Sequence, residues 1–72
     1  MASDEQAQAR KALGEKLRKA REAVSLTQSA VADAAGVHVN YYARVERGEE
    51  NPSFEKMQNI MKVLGIKSLE LF

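Results

Sequence analysis

Between Thr27 and Gly48 stand a few side chains suited to recognising flat, hydrogen-bonding or anionic partners. Asn40 and Arg44 lie one helical turn apart in sequence, and Thr27 and Gln28 precede them. A carboxamide presents a donor and an acceptor side by side, matching the N6/N7 edge of adenine. A guanidinium forks onto guanine O6/N7 or a phosphate. Val39 can offer only apolar contact, of the kind a thymine methyl accepts. If a helix carries them, Asn40 and Arg44 share one face, because positions four apart are neighbours on the helix surface. Reaction chemistry has no such footing here. There is no nucleophile–base pair, no paired carboxylates in an apolar setting and no phosphate-cradling Gly loop. The chain is expected to be no enzyme and to use no cofactor. With no Cys and a single His, a structural metal site is not expected either.

The segments around these residues read as two short helices hinged at Gly36. Thr27 suits an N-cap, and Leu26 and Val31 have the N′ and N4 spacing of a hydrophobic staple. Ala30 stands where a capping-box Glu would be, so that box is half made. The run from Gln28 to Ala35 is rich in helix formers, and Gly36 can take the left-handed conformation that closes a helix. A second helix is expected from Val39 to Arg47, ended by Gly48. Two helices joined by a Gly-containing turn of about three or four residues form a helix-turn-helix, and Ala32 and Ala35 suit a close crossing. On the second helix Tyr42 and Val45 face inward with Val37, the Tyr42 hydroxyl being expected at the solvent rim. Val39, Asn40, Tyr41 and Arg44 fall on the opposite side or at its margin.

The flanking segments must hold this unit. Leu13, Leu17, Ala20 and Val24 make one stripe of a first helix over about residues 9–24, with Lys16, Lys19 and Glu22 outside it. Gly14 within it costs about 1 kcal/mol of helix propensity. Residues 1–8 are polar and are expected to be a flexible lead-in. Pro52 pushes Asn51 out of the helical region, giving a loop over 49–52. Ser53 caps a further helix to Leu64, whose Phe54, Met57, Ile60, Met61 and Leu64 form a core stripe. Gly65 ends it, with Ile66 folding back on Met61. Ser68 opens a last short helix, 69–72. The expected fold is all-α and compact, with helices at about 9–24, 28–35, 39–47, 53–64 and 69–72, in one domain over 9–72.

Several short patterns stand here in order: Leu17-x-x-x-Arg21, Leu26-Thr27-Gln28, Val31-Ala32, Ala35-Gly36-Val37, Arg44-Val45-Glu46-Arg47-Gly48, Asn51-Pro52-Ser53 and Leu64-Gly65-Ile66. At these spacings they resemble the phage-repressor/Cro-like (lambda-repressor-like, XRE) helix-turn-helix family over about residues 13–72. The resemblance implies a sequence-specific double-stranded DNA-binding regulator of transcription, more often a repressor. The second helix of the motif would enter the major groove. Val39 and Asn40 take the family's base-reading positions, with Arg44 one turn on. Thr27, Gln28, His38, Tyr41, Arg47 and Asn51 fall at backbone or margin positions. Arg21 matches the family position whose guanidinium is held by a Glu, here Glu46. A homodimer on a two-fold operator is implied, formed through the C-terminal region Ile66, Leu69, Leu71 and Phe72. Some positions depart from the pattern. His38 replaces Ser or Thr, Val39 a frequent polar residue, Tyr42 an aliphatic one and Ser68 a large apolar one. From the residues alone, the lesser alternatives are Arg21 and Arg44 as surface charges and Asn40 as a capping residue.

Charge bears on the partner. Net charge is +1 over 72 residues, a weak basic bias for a nucleic-acid binder. The excess sits on residues 10–25, where six Lys/Arg face Glu15 and Glu22. Near-neutrality keeps an alternative open, a protein-interaction module of the same fold, such as an antitoxin. Binding to DNA without sequence preference is a further one. No apolar run nears the roughly 20 residues that span a bilayer, and nothing resembles a signal peptide. The expected location is the cytoplasm, with no membrane partner.

Overall fold

Acidic residues at one end and a left-handed serine at the other delimit the first helix. In the structure, a computed structural model that describes residues 4–67, α1 spans Asp4–Ala23. It begins five residues before the expected start. Asp4 and Glu5 lie in its first turn, where the helix dipole favours anions, and Gln6 to Ala9 are good helix formers. At the other end Ser25 adopts φ 58°. The Ser25 N–H donates to Glu22 O at 3.0 Å and the Leu26 N–H to Arg21 O at 3.1 Å. This is a Schellman closure built without glycine. Because the chain leaves the helix at Ala23, Val24 rotates off the stripe and is half exposed, contrary to its expected core position. Leu17 is buried, while Leu13 and Ala20 pack against the core half-buried.

The hinge forms as its residues dictate. α2 spans Gln28–Ala35, and Thr27 Oγ1 accepts from the Ala30 N–H at 3.0 Å. Gly36 takes φ 74°, and the Val37 N–H reaches Ala32 O at 2.9 Å. α3 spans Val39–Arg47 and α4 Phe54–Leu64. Ser53 Oγ caps α4 through the Lys56 N–H at 3.2 Å. At the far end the Ile66 N–H returns to Met61 O at 2.9 Å, as expected.

The four helices are the whole of the regular structure among the described residues, and no strand occurs. The expected helix over 69–72, with Ser68, Leu69, Leu71 and Phe72, lies outside them. α1 packs mainly on α3, and α2 packs on α3 and α4. Leu17, Val31, Tyr42, Val45 and Ile60 are the most deeply buried side chains. Each aliphatic one contributes about 1.5–3 kcal/mol by leaving water. Met57, Met61 and Leu64 complete the α4 face. Phe54 does not join them. It is 74% exposed, at the first position of α4, where no other helix among the described residues covers the stripe.

Gly14 is buried at the α1–α3 contact. A Cβ there would collide with Glu46 O and come within 2.6 Å of Val45 O. The residue that weakens α1 locally is the one that lets α3 lie against it, so tertiary packing outweighs propensity at this position.

Candidate nucleic-acid interface

One carboxylate ties three helices together. Glu46, on α3, is 7% exposed. Its Oε2 accepts from Arg21 Nε at 2.7 Å and its Oε1 from Arg21 Nη2 at 3.1 Å. Gln28 Nε2 donates to Oε1 at 3.0 Å. Arg21 also donates through Nη1 to Leu26 O at 3.0 Å, holding the turn that leads into α2. Burial works to raise the Glu46 pKa. The hydrogen bonds, with Arg21 foremost, overcome it and leave the carboxyl below its ordinary value. Arg21 and Glu46 therefore form the expected structural pair. Gln28, expected at the DNA backbone, also spends a donor on Glu46 and so braces α3 against α2.

Tyr42 lies beside this pair. Its ring is fully buried, and its hydroxyl finds no partner at hydrogen-bonding geometry among the described residues. Burial first, and then the nearby Glu46 carboxylate, push the phenol pKa well up. A hydroxyl at the solvent rim was the expectation. The side chain is instead enclosed, because Tyr fills a core position on α3.

With its inner side so held, α3 turns its opening residues outward. His38 is the N-cap, its Nδ1 accepting from the Asn40 N–H at 3.0 Å. An accepting Nδ1 places the imidazole proton on Nε2, a donor of the kind a phosphate oxygen takes. Asn40 is exposed and Arg44 partly so, one turn further along. Val39 and Tyr41 are only half available, since both also pack against the core. Val39 shares shallow depressions with Thr27, Gln28 and Ser29 on one side and with Val37 and His38 on the other. The start of α2 and the start of α3 therefore lie side by side. Both ends carry unspent backbone N–H groups, which favour anions.

The far end of α3 holds what composition did not reveal. Arg44 Nε donates to Glu50 Oε2 at 2.8 Å, and Arg47 Nη2 to Glu49 Oε1 at 3.1 Å. Both arginines expected at DNA are thus paired with carboxylates of the following loop. Lys56, from the first turn of α4, stands 4.6 Å from the centre of the Tyr41 ring and brings a cation to the same margin. Neither Glu50 nor Lys56 was singled out by spacing, because Glu50 lies in the loop and Lys56 reaches the α3 margin from a different helix. Asn51 is exposed in that loop. Of the residues expected at a dimer contact, Ile66 is described, half-buried against the core. Leu69, Leu71 and Phe72 lie outside the described residues. No group of three metal-binding side chains occurs among the described residues, and no helix there is long and apolar enough to cross a membrane.

The helix-turn-helix family pattern matches residues 17–72. This chain belongs to the phage-repressor/Cro-like (XRE) helix-turn-helix family. Among solved structures, the restriction-modification controller protein C.AhdI from Aeromonas hydrophila is similar. It is 35% identical, with a TM-score of 0.83 over 92% of this chain and 98% of the other. A search of curated proteins returned no match. As a member of this family, the protein is a DNA-binding regulator of transcription. α2 and α3 are its helix-turn-helix, and the Arg21–Glu46–Gln28 contacts hold those two helices to α1.

Proposed function

We propose that the protein recognises specific duplex sequences by inserting the start of α3 into the major groove. We further propose that it binds a two-fold operator as a homodimer and represses by occupying the promoter. The observation that carries this reading is the exposure of Asn40 at the start of a helix whose opposite face is locked to two others. Asn40 reads adenine, Val39 lies against a thymine methyl, and Arg44 reaches guanine. Thr27, Gln28, His38, Tyr41, Arg47 and Asn51 meet the flanking phosphates and set the register. One such unit contacts few bases, so two half-sites about 34 Å apart supply the specificity. The likeness to a restriction-modification controller protein supports a regulatory role.

Selection of bound duplexes from a random pool tests this. A palindromic enriched motif is expected, and Asn40→Ala should lose preference at one adenine in each half. Recovery of no motif would remove the sequence-specific reading. Sedimentation of the free and operator-bound protein tests the dimer, with two chains per enriched duplex expected.

Phe54 favours a second reading. A phenyl ring 74% exposed at the head of α4 suits contact with another protein, as an antitoxin of this fold would make. Phe54→Ala that weakens a protein complex while leaving DNA binding intact would support it.

A further inference from the structure

Resting on the reading just given, we infer that Glu50 is a positioning residue that restricts Arg44 to guanine and keeps it from clamping phosphate.

The local chain explains how a carboxylate reaches Arg44. After Gly48 the loop folds back, and the Glu49 N–H donates to Arg44 O at 2.8 Å. The next residue then carries its side chain to Arg44 Nε, also at 2.8 Å. The loop is therefore anchored on the backbone of the residue whose side chain it holds. Tyr41 borders the same place. Its phenol pKa is raised by burial and then by Glu50, with Arg44 opposing. The pair is less exposed than its neighbour, with 41% and 32% of the two side chains open, against 56% and 54% for Arg47–Glu49.

A guanidinium has five N–H donors, one on Nε and four on the two Nη atoms. With Nε engaged, the Nη pair remains as a fork, and that fork matches guanine O6/N7. The partner's charge decides the rest. A guanine edge is neutral and loses little from a nearby carboxylate. A phosphate is anionic, and Glu50 both cancels the attraction of Arg44 and repels the phosphate oxygens. Glu50 thus weakens the sequence-blind part of binding and preserves the part that reads a base. Specificity is the difference between those two affinities, so a repulsive element aimed at the wrong contact raises it.

Glu49 supplies an internal control, since it bears the same charge one residue away but pairs with Arg47. The experiment measures wild type, Arg44→Ala, Glu50→Gln and Glu49→Gln against three probes. These are the wild-type enriched duplex, the same duplex with each guanine replaced in turn, and a random-sequence duplex, each over a salt series. Circular dichroism melts accompany every variant, and a misfolded variant would lose affinity for all probes in parallel. In wild type and Glu49→Gln, one guanine per half-site should be strongly preferred, and Arg44→Ala should abolish that preference. Glu50→Gln should bind random duplex more tightly, its log K–log salt slope steeper by about 0.9 for one further phosphate neutralised. Its preference for that guanine should fall by about tenfold. The inference is overturned if Glu50→Gln keeps the preference as Glu49→Gln does, or if Arg44→Ala leaves it intact. An enriched motif with either result would sink this inference alone. No motif from wild type would sink it together with the sequence-specific reading.

Discussion

At the scale of single residues, Glu46 decides most. It is buried and charged, and its donors come from two other helices. Removing one partner of such a pair leaves the other uncompensated, at a cost of about 3–5 kcal/mol. That is a large share of the stability of so short a chain. Glu46→Ala should therefore be largely unfolded near room temperature in a urea titration. The pH dependence follows from the lowered pKa of the folded carboxyl. Its contribution is complete above the ordinary glutamate value of 4.5 and is lost as pH falls through the lower folded value. Wild type should lose stability on acidification in that window, and Glu46→Gln should show a shallower loss there in melts at stepped pH. Tyr42→Phe should remain within about 1 kcal/mol of wild type, because among the described residues the hydroxyl has no partner at hydrogen-bonding geometry to leave stranded. Asn40→Ala should leave the melt unchanged while costing about 1–3 kcal/mol of discrimination at its base. On the proposed reading, stability and recognition thus reside on opposite sides of one helix.

At the scale of elements, the capped termini were legible in the sequence, whereas the start of α1 and several of the faces were not. Thr27, Gly36, Ser53 and Gly65 act where their types placed them, since a cap is a contact between residues close in sequence. Val24 and Phe54 were misplaced because helical spacing tells which residues share a side, but not where a neighbouring helix stops. Gly14 was seen as a local weakness, whereas its role depends on Glu46, distant in sequence. Two substitutions separate local from tertiary effects. Gly14→Ala improves helix propensity yet should destabilise by about 1–3 kcal/mol through overpacking against α3. A gain in melting temperature would show that the contact can relax. Ser25→Gly should move the other way, by about 1 kcal/mol in chemical denaturation, because a non-glycine residue at φ 58° is strained. A loss there would mean that the serine side chain has a role the backbone does not disclose.

At the scale of the whole molecule, the family and the placement of α3 were readable from ordered short patterns, but the electrostatics of the reading face were not. The sequence shows arginines on α3 and glutamates after it, and only the folded loop pairs them. Net charge of +1 therefore overstates what the face offers to phosphate, while the basic surplus sits on α1. Lys56, beside Tyr41, adds a cation that periodicity would assign to an ordinary outer helix face. Binding to the enriched duplex should still weaken as salt rises, since phosphate contacts release counterions. A binding constant unchanged between low and physiological salt would argue against a phosphate-anchored complex. The three-helix clasp at Glu46 has one last mechanical consequence. If α3 reads the duplex as proposed, a helix bolted to its scaffold cannot swivel to fit an imperfect half-site. Any mismatch in spacing or groove width must then be absorbed by bending and twisting the duplex, whose stiffness varies with sequence. Operators should accordingly be ranked in part by the pliability of base pairs that no side chain touches.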